Sequence, residues 1–134
     1  MKQLIIYTDG ASRGNPGKAT CGFVILDGEE VVDKKSFYIG EATNNEAEYE
    51  AIIRALKNVK DFGKIEIKLF SDSELVIKQI NGEYKINMEH LMKKFIEVHK
   101  LINNFGKVEF RNVKRDNKFI EIVDFMVNVE LDKS

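Results

Sequence analysis

The chain of 134 residues has a single cysteine and no strong excess of charge of either sign. Cys21 has no partner for an internal disulfide, and its place in the apolar segment 19–25 predicts a buried side chain. A lack of disulfides is typical of a protein from a reducing compartment. A net charge of −1 argues against a protein that coats nucleic acid by global basic charge alone. It leaves open a local basic face, or an enzyme whose acidic centre offsets a basic rim.

Long apolar runs and histidines are also scarce. No apolar run approaches the ~20 residues that a membrane-spanning helix needs. The first residues lead directly into a predicted strand, with no room for a signal peptide. We therefore expect a cytoplasmic protein that contacts no membrane. The two histidines, His90 and His99, lie on one predicted helix with a polar surface, so a zinc site would have few ligands.

Hydrophobic periodicity divides the chain into strands and helices that alternate in its second half. Strands are predicted over residues 3–9, 20–26, 31–39, 64–71 and 107–113, and helices over about 43–63, 74–81, 88–104 and 119–131. Residues 10–19 are predicted to form a loop, because they contain three glycines and the only proline. This order predicts one α/β domain over residues 1–134, with a five-stranded mixed sheet flanked by helices on both faces. The first three strands form its antiparallel meander, and the later strands add to it in parallel.

A capping box marks the beginning of the first helix. Thr43 followed three residues later by Glu46 is a capping box, in which each side chain bonds the other residue's backbone amide. Within that helix Glu48 shares one stripe with the apolar residues Ile52 and Val59. A glutamate at the head of a core-facing stripe is out of place for a solvated side chain. It is therefore a candidate functional residue.

Four carboxylates stand where a purely structural role is a weak explanation for all of them together. Asp9 and Asp72 each end an apolar strand, and the carboxyl ends of parallel neighbouring strands meet at one edge of a sheet. Glu48 lies on a helix predicted to pack on the sheet, and Asp124 lies in a strongly apolar helix. Taken singly, each has an ordinary reading as a turn residue, a helix cap or a solvated helix residue. Converging carboxylates would repel one another unless a divalent cation lay between them, and oxygen ligands suit Mg²⁺ or Mn²⁺.

Several segments, in this order along the chain, resemble type 1 ribonuclease H, the ribonuclease HI family. They are Tyr7-Thr8-Asp9-Gly10-Ala11 with Gly14-Asn15-Pro16-Gly17, Thr43-Asn44-Asn45-x-x-Glu48, Ser71-Asp72-Ser73, and a late Asp124 within a helix. The resemblance covers nearly the whole chain. The segment 80–85 resembles the compact branch of the family, which lacks a separate basic protrusion helix.

The resemblance implies a ribonuclease H-like fold and an endonuclease that hydrolyses the RNA strand of RNA–DNA hybrids, leaving 5′-phosphate and 3′-hydroxyl ends. It implies a catalytic and metal-binding set of Asp9, Glu48, Asp72 and Asp124 that holds two Mg²⁺ ions, with Mn²⁺ able to replace them. In this set Asp9 would bridge both ions. Asp124 would hold the ion that activates water, and Glu48 with Asp72 the ion at the leaving oxygen.

Substrate contacts are implied by the same resemblance. The 2′-hydroxyls that distinguish RNA from DNA both donate and accept hydrogen bonds. The residues expected to contact the hybrid are Gly10, Ala11, Ser12, Arg13, Asn15, Asn44, Asn45, Ser73 and Lys85. Lysines 78, 93 and 94 are further candidates for the DNA-strand phosphates. No feature of the sequence indicates an obligate protein partner.

The sequence departs from the family pattern near Asp124. The loop before the last helix has no histidine, and Arg115 and Glu121 are the candidates to replace it as auxiliary residues. This loop is about two or three residues longer than usual, and bulky Ile122-Val123 precedes Asp124 in place of a small residue. An alternative function follows: a module that binds hybrid or double-stranded RNA with weak or no turnover, because its fourth carboxylate is displaced. A related nuclease that acts on double-stranded RNA or RNA–DNA junctions is a further alternative.

Overall fold

The structure is a computed structural model that describes residues 2–134. Its strands are β1 (Gln3–Gly14), β2 (Gly17–Asp27), β3 (Glu30–Ala42), β4 (Glu66–Ser71) and β5 (Lys107–Asn112). Its helices are α1 (Asn44–Val59), α2 (Glu74–Ile80), α3 (Glu89–Ile102) and α4 (Lys118–Lys133), and a short 3₁₀ turn (Lys60–Phe62) follows α1. The predicted order of elements is confirmed.

The sheet has the strand order β3-β2-β1-β4-β5. Strands β1, β2 and β3 pair antiparallel as a meander, while β4 lies parallel to both β1 and β5. The predicted five-stranded mixed sheet is therefore confirmed. Because β1 is the central strand, both of its faces are covered by helices, which explains its run of apolar residues.

Helices pack on both faces of the sheet. Helices α1, α2 and α3 enclose the larger core, whose buried residues include Leu4, Ile6, Phe23, Ile52, Leu56, Leu69, Val76 and Val98. Helix α4 covers the opposite face, where Val123 and Val127 pack on Val24 and Leu26. Each fully buried aliphatic side chain of this kind contributes about 1.5–3 kcal/mol. Among the residues described, no helix is both long and apolar enough to cross a membrane.

Side chains cap the beginnings of α1, α2 and α4. Both hydrogen bonds of the predicted capping box are present, from the Thr43 amide to Glu46 and from the Glu46 amide to the Thr43 hydroxyl. Ser73 caps α2, and Asn117 caps α4 by accepting bonds from two amides of its first turn. These contacts fix where α1, α2 and α4 leave the edge of the sheet. The functional site lies at that edge.

The predicted loop over residues 10–19 is wrong. Strand β1 continues to Gly14 and β2 begins at Gly17, with pairs that include Ala11↔Thr20 and Arg13↔Lys18. The chain reverses only at residues 14–17, where Gly14 has a φ of +113° and a Cβ on Gly17 would lie 2.2 Å from the Arg13 carbonyl oxygen. Gly10 is a strand residue, and its lack of a side chain serves helix packing rather than a turn.

Two strand glycines let helices approach the sheet beside Asp9. A Cβ on Gly10 would lie 2.3 Å from the carbonyl carbon of Ala47 in α1. A Cβ on Gly22, which pairs with Asp9, would lie 2.9 Å from Val127 Cγ1 in α4. A side chain at Gly10 would therefore push α1 away, and one at Gly22 would press on Val127 of α4 and on the Lys35 carbonyl oxygen of β3. Helices α1 and α4 therefore both come close to the sheet at the level of Asp9.

Candidate active site and metal centre

Strand register places Asp9 and Asp72 side by side, and β1 continues past the end of its parallel neighbour β4. The last register pair between them is Thr8↔Ser71. Asp9 and Asp72 are the residues that follow this pair along the two strands. Strand β4 ends at Ser71, while β1 continues. The carboxyl end of β4 therefore leaves an opening beside Asp9, in the place where open α/β sheets bind ligands.

Glu48 reaches this opening from the first turns of α1. The Gly10 amide donates one hydrogen bond to Glu48 Oε1 at 2.8 Å and another to Asp9 Oδ1 at 3.0 Å. One backbone N–H therefore holds two carboxylates. The contact requires the close approach that Gly10 allows, because any side chain there would push α1 away.

Asp9, Glu48 and Asp72 form a cluster in which one carboxylate oxygen of each lies within 4.8 Å of the others. Burial, followed by repulsion from Asp72 and Asp124, raises the pKa of Asp9 to about 8. Glu48 forms part of the cavity wall, where lost hydration and then repulsion from Asp9 and Asp72 raise its pKa well above the usual value. Three convergent oxygen donors that repel one another are a donor set suited to a hard divalent cation.

Asp124 borders the same cavity from α4 but does not belong to the set within 4.8 Å. Residue Asp124 is exposed, and its charge contributes to the raised pKa of Asp9. The structure therefore places Asp124, which α4 carries, at the edge of the cluster.

Arg115, one of the two auxiliary candidates, lies at the rim of this cavity. Its Nε donates to Asp72 Oδ2 at 3.4 Å, although its own side chain is 90% exposed. Asp72 is the less accessible partner, with its side chain 10% exposed. The other candidate, Glu121, is exposed on α4 and does not line the cavity.

The predicted substrate residues fall into two groups. Gly10, Ala11, Ser12, Asn44 and Ser73 line the cavity, whose volume is about 420 Å³. The other four lie outside its lining; they are Arg13, Asn15, Asn45 and Lys85.

Hydrogen bonds join the β1–β2 hairpin to the beginning of α1. The Ser12 amide donates to Asn44 Oδ1 at 3.0 Å, and the Asn44 amide donates to Asn15 Oδ1 at 3.0 Å. The Arg13 guanidinium turns the other way and pairs with Asp132 of α4. The two asparagine side chains are thus held in place before any ligand binds.

One residue of the cavity was missed by sequence reasoning. Asn128 lines the cavity, and its Nδ2 donates to the Asp124 carbonyl oxygen at 2.9 Å and to Asp124 Oδ1 at 3.3 Å. Its position four residues after Asp124 was an available signal, because side chains at this spacing meet on one helix face.

Comparison with known proteins identifies the family. The sequence model described as RNase H matches residues 1–123, which is nearly the whole chain. The chain belongs to the RNase H family. The matched segment contains Asp9, Glu48 and Asp72 and stops one residue before Asp124. The RNase H-like fold predicted from the sequence is confirmed.

Individual relatives show the same similarity in sequence. Ribonuclease HI of Halobacterium salinarum is 41% identical over 127 residues, which cover 94% of this chain and 63% of the relative. A bifunctional protein of Mycobacterium tuberculosis is 35% identical over 84% of this chain and 32% of its own length. The chain therefore spans about two thirds of one of these curated relatives and one third of the other.

Solved structures give the same fold. The crystal structure of RNase H1 from Halobacterium salinarum superposes with a TM-score of 0.92 at 39% identity, covering 98% of this chain and 99% of that one. LC11-RNase H1, crystallised in complex with an RNA/DNA hybrid, gives a TM-score of 0.90 at 40% identity, with 97% of each chain covered.

Proposed function

We propose that this chain is an endonuclease that hydrolyses the RNA strand of RNA–DNA hybrids, leaving 5′-phosphate and 3′-hydroxyl ends. The observation that carries the proposal is the cluster of Asp9, Glu48 and Asp72 at the open end of β4, in a chain of the RNase H family. The similarity to LC11-RNase H1, which was solved with an RNA/DNA hybrid, supports this choice of substrate.

We further propose that the cluster binds two Mg²⁺ ions, for which Mn²⁺ can substitute. The donor set fits, because it offers carboxylate oxygens alone, and their mutual repulsion is relieved by a cation. Asp9, Glu48, Asp72 and Asp124 would hold the ions. When bound, they supply activation of the attacking water and stabilisation of charge on the leaving oxygen during an in-line displacement.

The contribution of the protein is to fix these carboxylates before substrate arrives. The shared Gly10 amide orients Asp9 and Glu48, and strand register places Asp72 beside them. Such preorganised charge lowers the barrier because little rearrangement is needed in the transition state. The guanidinium of Arg115 at the rim supports its proposed auxiliary role, since it can turn from Asp72 towards a phosphate. For Glu121 the described residues offer no comparable support, because its side chain lies outside the cavity lining.

Recognition of the RNA strand is proposed for the surface around the hairpin and the start of α1. The backbone of Gly10, Ala11, Ser12 and Arg13, with the side chains of Asn15, Asn44, Asn45 and Ser73, presents donors and acceptors suited to 2′-hydroxyls. The hydrogen bonds that join Asn15, Asn44 and Ser12 support this role, because they fix the polar groups in advance. Exposed Lys85 is proposed to contact a phosphate of the hybrid.

Three finer proposals concern the chain as a whole. Only residues 81–88 connect α2 to α3, which leaves no room for a further helix and supports membership of the compact branch. One sheet with a core on each face supports a single domain over residues 1–134. The one buried, unpaired cysteine supports a reducing, cytoplasmic setting.

A second function is favoured by one observation. Asp124 is exposed and lies outside the cluster of three, which is the feature expected of a module that binds hybrid or double-stranded RNA with little turnover. Activity on double-stranded RNA or on RNA–DNA junctions is the related alternative, because a fold alone does not fix its substrate.

One experiment separates these functions. A labelled RNA–DNA hybrid, a double-stranded RNA of the same sequence and a duplex with one RNA–DNA junction are each incubated with Mg²⁺, with Mn²⁺ or with chelator. We expect cleavage of the hybrid that requires a divalent cation and yields 5′-phosphate ends. Binding of the hybrid without cleavage in either cation would instead support the binding module.

A further inference from the structure

The exposed fourth carboxylate is held by a neighbour on its own helix. The Asn128 carboxamide donates to both the backbone carbonyl and the Oδ1 of Asp124. Within residues 2–134 it is the only nitrogen donor that reaches this carboxylate. Asn128 also lines the cavity that Asp124 borders.

The sheet in turn fixes the segment of α4 that carries Asn128. Buried Thr20 donates its hydroxyl to the Val127 carbonyl oxygen at 2.8 Å. Arg13 reaches the carbonyl oxygen of the next residue, Asn128, at 3.4 Å and pairs with Asp132 one turn later. The β1–β2 hairpin therefore donates hydrogen bonds to two consecutive carbonyl oxygens of α4.

These hydrogen bonds form a continuous series from the hairpin to the Asp124 carboxylate. Asp9, Glu48 and Asp72 are set by strand register and the Gly10 amide, but none of these features constrains the Asp124 side chain. A solvated aspartate on a helix samples several rotamers unless a donor selects one of them. The Asn128 amide supplies that donor, and the hairpin fixes the position of the amide relative to Asp9.

We propose that Asn128 is a positioning residue for the fourth carboxylate, acting through its hydrogen bond to Asp124 while Arg13 and Thr20 anchor its helix turn. This inference rests on the proposed function, because it concerns the same cation site. It also gives the Arg13 side chain a role different from direct substrate contact, which its backbone can still make.

The test replaces the carboxamide and follows the cation as well as the reaction. Asn128→Ala removes the donor and raises helix propensity, so the variant is expected to fold. Asn128→Gln keeps a carboxamide, and Gln–Asp pairs at this spacing are favourable. Asn104→Ala is the matched control, since Asn104 makes the same kind of amide-to-carbonyl bond, to Leu101, at the far end of α3.

Two measurements are made on each variant. Mg²⁺ is titrated without substrate while the backbone amide signals of α4 are followed by NMR, and hybrid cleavage is measured for kcat and KM. In Asn128→Ala we expect kcat and the Mg²⁺ response to weaken by about 10- to 100-fold, as for other residues that orient a metal ligand. The KM for hybrid should stay within about twofold, because substrate contacts are unchanged. Asn128→Gln should recover most of the loss.

Two outcomes would overturn the inference. One is a kcat and a Mg²⁺ response in Asn128→Ala equal to those of the wild type or of Asn104→Ala. The other is a loss that accompanies a lowered unfolding midpoint and is not recovered by Gln, which would make Asn128 merely structural. Failure of the proposed function is distinguishable, because the wild type would then leave the hybrid uncut while the Mg²⁺ titration still tests Asn128.

Discussion

The Gly10 amide donates to Glu48 Oε1 at 2.8 Å, across a sequence separation of 38 residues. The same amide also bonds Asp9 Oδ1. Two groups that repel each other are thus joined through one donor, and the contact exists only because Gly10 has no side chain.

Gly10→Ala should separate α1 from β1 and abolish cleavage. The new Cβ would lie 2.3 Å from the Ala47 carbonyl carbon, a backbone atom that cannot move alone. We expect a loss of about 1–3 kcal/mol in the free energy of unfolding, measured in urea. Gly28→Ala is the control: its Cβ meets open space, so it should cost only the strain of a positive φ, about 1–2 kcal/mol, with cleavage intact. Normal cleavage by Gly10→Ala would contradict this account.

Asp9→Asn should remove Mg²⁺-dependent cleavage and yet stabilise the protein when no cation is present. Asparagine is neutral without taking up a proton, so it escapes the burial penalty and the repulsion from Asp72 and Asp124 that raise the pKa of Asp9. In chelator, the free energy of unfolding should rise by about 1–3 kcal/mol. Asp61→Asn, on the exposed turn after α1, should change neither quantity. Undiminished cleavage by Asp9→Asn would exclude the proposed metal site.

The stability of the cation-free protein should fall as the pH rises from about 4 to about 8. The pKa of Asp9 is raised to about 8 in the folded protein, so between these values the folded state retains a proton that the unfolded state has released. A raised pKa on an acid therefore contributes stability at low pH that is lost as the pH rises. Mg²⁺ should reduce the fall, because it neutralises the carboxylates in place of the proton. Unfolding midpoints measured across this range with chelator and with Mg²⁺ test the prediction; equal slopes would refute it.

Arg115→Ala should slow cleavage without changing stability. Its side chain is 90% exposed, and ion pairs of this kind contribute about 0–1 kcal/mol to folding. If the guanidinium stabilises charge on the substrate, kcat should fall by about tenfold or more. Arg111→Ala is the control, because Arg111 is also an exposed arginine paired with a carboxylate but lies on β5 outside the cavity. Equal effects of the two substitutions on kcat would argue against a special role for Arg115.

Local signals in the sequence predicted much of the fold. The Thr43–Glu46 capping box, the meander and the parallel pairing of the strand that carries Asp9 with the strand that precedes Asp72 are all present. These features depend on neighbours within a few residues or on the alternation of polar and apolar residues. The error over residues 10–19 has the same origin, since glycine and proline mark a turn locally whether they lie in a strand or at its end.

The sequence by itself determined the set of elements and their order. It also singled out three carboxylates, two after apolar strand segments and one on the apolar stripe of a helix. Only the tertiary structure decided that Gly10 admits α1, that Arg115 faces Asp72, and that Arg13 anchors the helix of Asp124. These contacts join residues 38, 43 and 119 positions apart. Local periodicity carries no information about such pairs, because the packing of helices on a shared sheet sets their distances. Asn128 combines a local signal with a tertiary one. Its spacing from Asp124 is visible in the sequence, but its place at the cavity depends on how closely α4 approaches Gly22.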